Sequence, residues 1–156
     1  MKLEIKSIAL LLMIAGITTT LSCKKDKDIN TAKTKTELLT TGTWKYTAST
    51  INPAYDYYSD GILATNIFTI MKSCEKDDFE TYKTNGMWEY NEGPTKCDPS
   101  YPQVFSESWS FTANETKLLL GTGENTILEL TATTLKLRFT FEDAGVIYTA
   151  EDTYGH

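Results

Sequence analysis

Apolar and polar residues alternate singly along most of this chain. From Thr43 to Ile51, "TWKYTASTI", Trp44, Tyr46 and Ala48 take turns with Lys45, Thr47 and Ser49, the period of a strand with one face buried. "QVFSESWSFTA" sets Phe105, Trp109 and Phe111 against Ser106, Ser108 and Ser110 in the same way. "DFETYKTNGMWEY" reads as two short strands around Asn85-Gly86, a pair suited to a tight type I′ turn because both central residues there need positive φ. "KLLL", "NTILELT", "LKLRFTFE" and "VIYTAEDTY" follow, separated by "GTGE", "TATT" and "DAG", the spacing of a meander. Two stretches depart from this period. Thr36 caps a short helical turn over Glu37 to Leu39, which Gly42 ends. Ile62 to Met71 aligns Ile62, Leu63, Ile67, Ile70 and Met71 on one helical face and predicts a helix, although its composition also suits a strand.

About eight antiparallel strands must hide their edges, and closing the sheet on itself removes edges completely. The pattern therefore predicts an all-β domain over residues 36–156: a small antiparallel up-and-down β-barrel of about eight strands, with a short N-terminal helical turn. Such a barrel is just wide enough to be filled by side chains or to hold one small ligand. A two-sheet sandwich is the competing architecture.

The beginning of the chain has a different texture. Lys2 and Lys6 precede an apolar run from Ile8 to Ile17, about half of the roughly 20 residues a membrane span needs, so residues 1–22 read as a secretory signal peptide. "TLSC" resembles the lipobox of bacterial lipoproteins, and "LSCKKD" is similar to such signals in Bacteroidetes. The resemblance implies that Cys23 becomes the first mature residue and carries lipid, an anchor that is stable once two or more acyl chains are present. An ordinary cleaved signal with an incidental cysteine is the alternative. Residues 23–35, charged and nearly devoid of apolar side chains, read as a flexible tether. The expected location is the cell envelope, as an outer-membrane lipoprotein facing the periplasm or the surface.

Charge and cysteine count narrow the picture further. The formal charge of −6 becomes −7 without Lys2, Glu4 and Lys6, and an acidic domain with no basic stripe makes nucleic acid a poor partner. If Cys23 is acylated, Cys74 and Cys97 remain as an even pair in an oxidising compartment, and a disulfide between them would contribute about 3 kcal/mol. Two reduced buried thiols are the other reading.

Gly42-Thr43-Trp44, after a helical turn and opening the first strand, resembles the G-x-W signature of lipocalins. The string from Cys74 to Gln103, then "WSF" and "ILELTATTLKLRF", resembles the lipocalin-like domain lipoproteins of Bacteroidetes. That likeness implies an up-and-down barrel with Cys74 and Cys97 bridging the start of a hairpin to the loop beyond it. It also implies an arginine from a late strand against the tryptophan. Arg138 is the only arginine, yet alternation sets it opposite Leu137 and Phe139, so the pairing with Trp44 needs a bulge.

Candidate chemistry is sparse. His156 is the only histidine and stands at the frayed end, which leaves a Ser-His or Cys-His nucleophile without a base. No catalytic residue, metal site or cofactor is predicted. Glu75, Asp77, Asp78 and Glu80 lack the spacing of a calcium loop and read as a solvated turn. Tyr55, Tyr57 and Tyr58 in "YDYYSDG", with Trp88 and Trp109, are candidates for the rim of a ligand site. The expected function is binding of a small apolar or amphiphilic ligand by a monomer, not an enzyme. A filled module that docks an envelope protein or glycan is the alternative, and a carboxylate-dependent hydrolase comes after it.

Overall fold

The computed structural model describes residues 32–156, so the signal-peptide, Cys23 and most of the tether readings lie outside the described residues. Helix α1 (Lys35–Leu39) opens the domain. Its cap is Thr34 rather than Thr36: the Thr34 hydroxyl accepts from the Glu37 amide at 3.2 Å, and Glu37 accepts from the Thr34 amide at 2.7 Å, a reciprocal capping box.

Nine strands follow, where the sequence pattern predicts about eight. They are β1 (Lys45–Tyr55), β2 (Ala64–Asn66), β3 (Phe79–Tyr82), β4 (Met87–Asn91), β5 (Val104–Thr112), β6 (Lys117–Leu120), β7 (Gly123–Leu130), β8 (Thr134–Asp143) and β9 (Val146–Gly155). The additional strand comes from the segment expected to be helical throughout. Ala64 pairs with Tyr55 and Asn66 with Thr50, so β2 adds to the edge of β1. The Asn66 side chain then accepts from the Thr69 amide at 3.2 Å and starts the short helix α2 (Ile67–Ile70), so an N-cap splits the segment in two.

The strands form one curled antiparallel sheet in the order β2-β1-β9-β8-β7-β6-β5-β4-β3. Its two distant parts approach each other at Trp44 and Glu80, whose backbones exchange two hydrogen bonds of 2.8 Å. The β3–β4 hairpin does turn at Asn85-Gly86, but not as a type I′ turn. Only Gly86 has positive φ, at 82°, and its amide donates to Lys83 O, so an ordinary turn closes on one left-handed glycine.

A register shift in β1 between Tyr46 and Ala48 corrects the expected facing of that strand. The bulge advances the side-chain phase by one residue, so Ala48 is exposed while Ser49 and Ile51 are buried. Strands β8 and β9 keep strict alternation. Leu135 and Leu137 of β8, and Ala150, Asp152 and Tyr154 of β9, are buried on the concave face.

Because neighbouring strands are antiparallel, the β1–β2, β4–β5, β6–β7 and β8–β9 connections share one end of the sheet, and α1 lies at the other with His156. Helix α3 (Ser73–Lys76) precedes β3 at the first of these ends and is tied to the β4–β5 connection by the Cys74–Cys97 disulfide, with Cα atoms 5.3 Å apart.

The α1 end is packed solid. Leu39, Trp44, Tyr82, Trp109, Leu118 and Leu135 are buried in one cluster. The Trp44 indole donates to Leu39 O at 2.9 Å, fastening the sheet to the helix, and the Trp109 indole donates to Lys83 O at 2.9 Å. His156 is not frayed. Its ring lies 4.0 Å from that of Trp44, and its Nδ1 is 2.7 Å from Thr43 O.

Gly42 makes this contact possible. It sits at φ 78°, and a Cβ there would meet the His156 ring at 3.1 Å. Gly42→Ala is expected to cost about 1–2 kcal/mol in urea unfolding, chiefly from the left-handed backbone. Adding His156→Ala should recover only the part due to the contact. Full recovery in the double variant would contradict the backbone account.

Candidate functional site

The concave face is hollow toward the end opposite α1. A cavity of about 330 Å³ lies there, at the small end of the range for ligand pockets. Ile51, Ile67, Met71, Phe139, Phe141 and Ala150 make its apolar wall, delivered by β1, α2, β8 and β9. Tyr55 closes one side through edge-on contacts with Phe141 and Tyr148, at 5.4 and 4.9 Å between ring centroids. Tyr57 also lines it and is 42% exposed, which marks the mouth.

The rest of the lining is polar. Tyr46, Ser49, Tyr57, Glu75, Tyr90 and Asp152 contribute hydroxyls and carboxylates. Ser49 and Asp152 are register partners on β1 and β9, so the β1 bulge is what sets them side by side facing inward. A layer of hydrogen-bonded side chains separates this cavity from the packed end. Tyr154 donates to Tyr46 at 3.0 Å, and Tyr46 lies 3.4 Å from Asp152 Oδ2. Beside them, Glu80 Oε2 accepts from Tyr82 at 2.8 Å and from the Trp88 indole at 2.9 Å.

The acidic segment Glu75 to Glu80 is therefore not a solvated turn. Asp78 and Glu80 are 2% and 4% exposed. The reason is the strand period: Asp78, Glu80 and Tyr82 alternate onto the concave face, where Tyr90, Tyr82 and Trp88 donate to the carboxylates. Asp78 Oδ1 is buried without a partner. Burial raises the Asp78 carboxyl to about 6 against the hydrogen bond from Tyr90, with Glu92 and Asp77 adding to the rise. Burial likewise raises Glu80, opposed by Trp88 and Tyr82, and raises Asp152, opposed by Ser49 and Tyr46.

The rim candidates separate into four places. Tyr55 and Tyr57 border the cavity. Tyr58 stands behind Tyr57, donates to Glu75, and is pushed up to about 12 by burial first and by that bond second. Trp88 reaches inward with its N–H to Glu80, and its ring also meets an outer groove with Tyr101 and Phe105. Trp109 belongs to the packed end, 9% exposed, and touches no cavity.

Arg138 is on the convex face and does not meet Trp44. Its guanidinium pairs with its register partner Glu151 at 2.5 and 2.9 Å, and Lys136 joins them at 2.6 Å. Strict alternation in β8 gives Arg138 no bulge to turn it inward, and His156 occupies the place against the indole. The residues missed in the sequence, above all Asp152 and Ser49, had a partial signal. "YTAEDTY" places Asp152 in phase with Tyr148, Ala150 and Tyr154, whereas Ser49 becomes inward only through the bulge.

Among the described residues no group of three or more His, Cys, Asp or Glu side chains could hold a metal ion. No family model matches the chain, and no curated protein matches it as a relative.

The buried carboxyls set a direction for stability against pH. Folding raises Asp78, Glu80 and Asp152, so the folded chain keeps protons that the unfolded chain has lost. Stability should fall as pH rises from the ordinary 3.8 through about 6 for Asp78, with nothing further lost from that group above. The lowered carboxyls Glu37, Asp98, Glu124 and Glu151 act oppositely, losing their contribution below about pH 4. A urea midpoint highest near about pH 4, declining as pH rises through about 6, and a shallower decline in Asp78→Asn, are expected. A midpoint that rises across that interval would contradict the assignment.

Proposed function

We propose that this chain is a lipocalin-like binding protein of the cell envelope, holding one small amphiphilic molecule inside its curled sheet. The observation that carries this reading is the division of the concave face. One half is filled by Trp44, Trp109 and leucines, while the other keeps a cavity of about 330 Å³ lined by both apolar and polar side chains. A module that served only as a docking scaffold would have no use for a hollow lined by six aromatic rings (Tyr46, Tyr55, Tyr57, Tyr90, Phe139 and Phe141). In this reading the sheet is a barrel joined at Trp44 and Glu80, Cys23 carries the lipid anchor, and the tether of residues 23–35 holds the barrel off the outer membrane. The role is binding by a monomer, without a cofactor.

The docking alternative has one observation in its favour. Ile62 and Leu63 after β1, and Val146 and Ile147 at the β8–β9 turn, are exposed at the cavity end, between 41% and 67%. They would frame the mouth or meet a neighbouring surface. Both uses are compatible with the cavity.

The neutral fluorophore N-phenyl-1-naphthylamine tests the cavity directly. Saturable one-site enhancement is expected, and Ala150→Phe, which fills the apolar wall, should weaken it by at least about tenfold, or about 1.4 kcal/mol. Equal binding by the variant, with its fold intact by circular dichroism, would count against the cavity as the site. Mass spectrometry of the membrane-extracted protein is expected to show an acyl-modified Cys23. An unmodified thiol there would remove the anchor and leave the binding reading standing.

A further inference from the structure

The chemistry of the cavity's polar wall points to the charge of its ligand. Asp152 is 6% exposed and lines the hollow, with neutral hydroxyls for donors, Ser49 beside it and Tyr46 at a long 3.4 Å from its Oδ2. Buried carboxylates are ordinarily paired with a cation or saturated with donors. Among the described residues no cation faces this one. From β1 it meets Tyr46 and Ser49, from β8 Leu137, from its own strand Tyr154, and toward the mouth Tyr57, with Glu80 of β3 behind. Glu75 adds a second carboxylate to the lining, and among the described residues no lysine or arginine lines the cavity. The nearby lysines are engaged elsewhere: Lys72 Nζ lies 4.6 Å from the Tyr58 ring centre and Lys76 Nζ 5.0 Å from that of Phe68.

We propose that the ligand is a small organic cation, an ammonium group on an apolar body, with its charge against Asp152 and its body against Ile51, Ile67, Met71 and Phe139. This rests on the reading of the cavity as a ligand site. The aromatic faces of Tyr46 and Tyr57 supply the surroundings in which an ammonium is favoured by ring quadrupoles as well as by the carboxylate. An anionic amphiphile such as a fatty acid would instead bring a second negative charge onto Asp152, Glu75 and Glu80.

The inference also fixes a pH dependence. Without ligand, burial favours the protonated Asp152 carboxyl, and an ammonium beside it favours the ionised form, so binding expels a proton in mildly acidic solution. Affinity for the cation therefore rises with pH until Asp152 is ionised in the free protein, then levels. Tyr46 and Tyr57 are raised and stay neutral over this range, and Glu80 shifts in the same direction as Asp152.

Calorimetric titration of the folded protein with octylamine, 1-octanol and octanoate at neutral pH tests this, because the three share a body and differ in head group. The amine is expected to bind at least about tenfold tighter than the alcohol, with octanoate weakest and the amine's advantage over the alcohol shrinking as the pH is lowered. Asp152→Asn should bring the amine and alcohol to within about threefold of each other. Equal affinities for all three in the native protein, or a preference for octanoate, would overturn the cation inference while leaving the cavity reading in place. Absence of binding by all three, together with no N-phenyl-1-naphthylamine signal, would overturn both. If Asp152→Asn does not fold, the native head-group series and its pH profile decide the matter alone.

Discussion

The contact on which this structure turns is the backbone pairing of Trp44 with Glu80. Two hydrogen bonds of 2.8 Å join residues thirty-six positions apart, bringing the start of β1 against β3, the last strand of the sheet order. The side chains of the same two residues then do opposite things. Trp44 is fully buried and binds α1 through its indole N–H, so it makes the packed end. Glu80 places a carboxylate among Tyr82 and Trp88, so it begins the polar layer. Apolar filling and a hydrogen-bonded floor thus diverge from one pair of paired backbones.

That floor explains why the interior tolerates so many ionisable groups. Each buried tyrosine has a hydroxyl to place, and the carboxylates of Asp78, Glu80 and Asp152 accept from them. The arrangement has a cost in desolvation, seen in the raised carboxyls, and a uniformly apolar interior would avoid it. What an apolar interior would not provide is a wall that distinguishes one head group from another.

Much of the sheet was legible in the sequence, because one-sided burial imposes alternation, and β5, β8 and β9 follow it over eight residues or more. The Ile62 to Met71 segment was not, since its apolar residues fit two periods and the decision fell to the Asn66 cap. The facing of β1 failed beyond Tyr46 because a bulge leaves no mark in composition. Asp78 and Glu80 were misplaced for another reason. Charge suggested solvent, while their phase with Tyr82 had already put them inside. His156 against Trp44 had one indirect sign, the glycine at position 42, which leaves room for its ring. The cavity itself could not be read, because it depends on how far side chains from α2, β1 and β8 fail to meet.

The bulge in β1 carries one more implication. Between Tyr46 and Ala48 the one extra residue, more than the identity of those after it, decides what points inward as far as Ile51. The same strand paired with β9 without the bulge would present Thr50 and Asn52 to Phe139 and Phe141, and Ile51 to water, whereas loss of one residue at the bulge itself would straighten the ladder and leave Ser49 and Ile51 facing inward. Among divergent descendants of such a sequence, a one-residue gap would be borne at the bulge but not between it and Ile51, where it would turn the pocket lining outward.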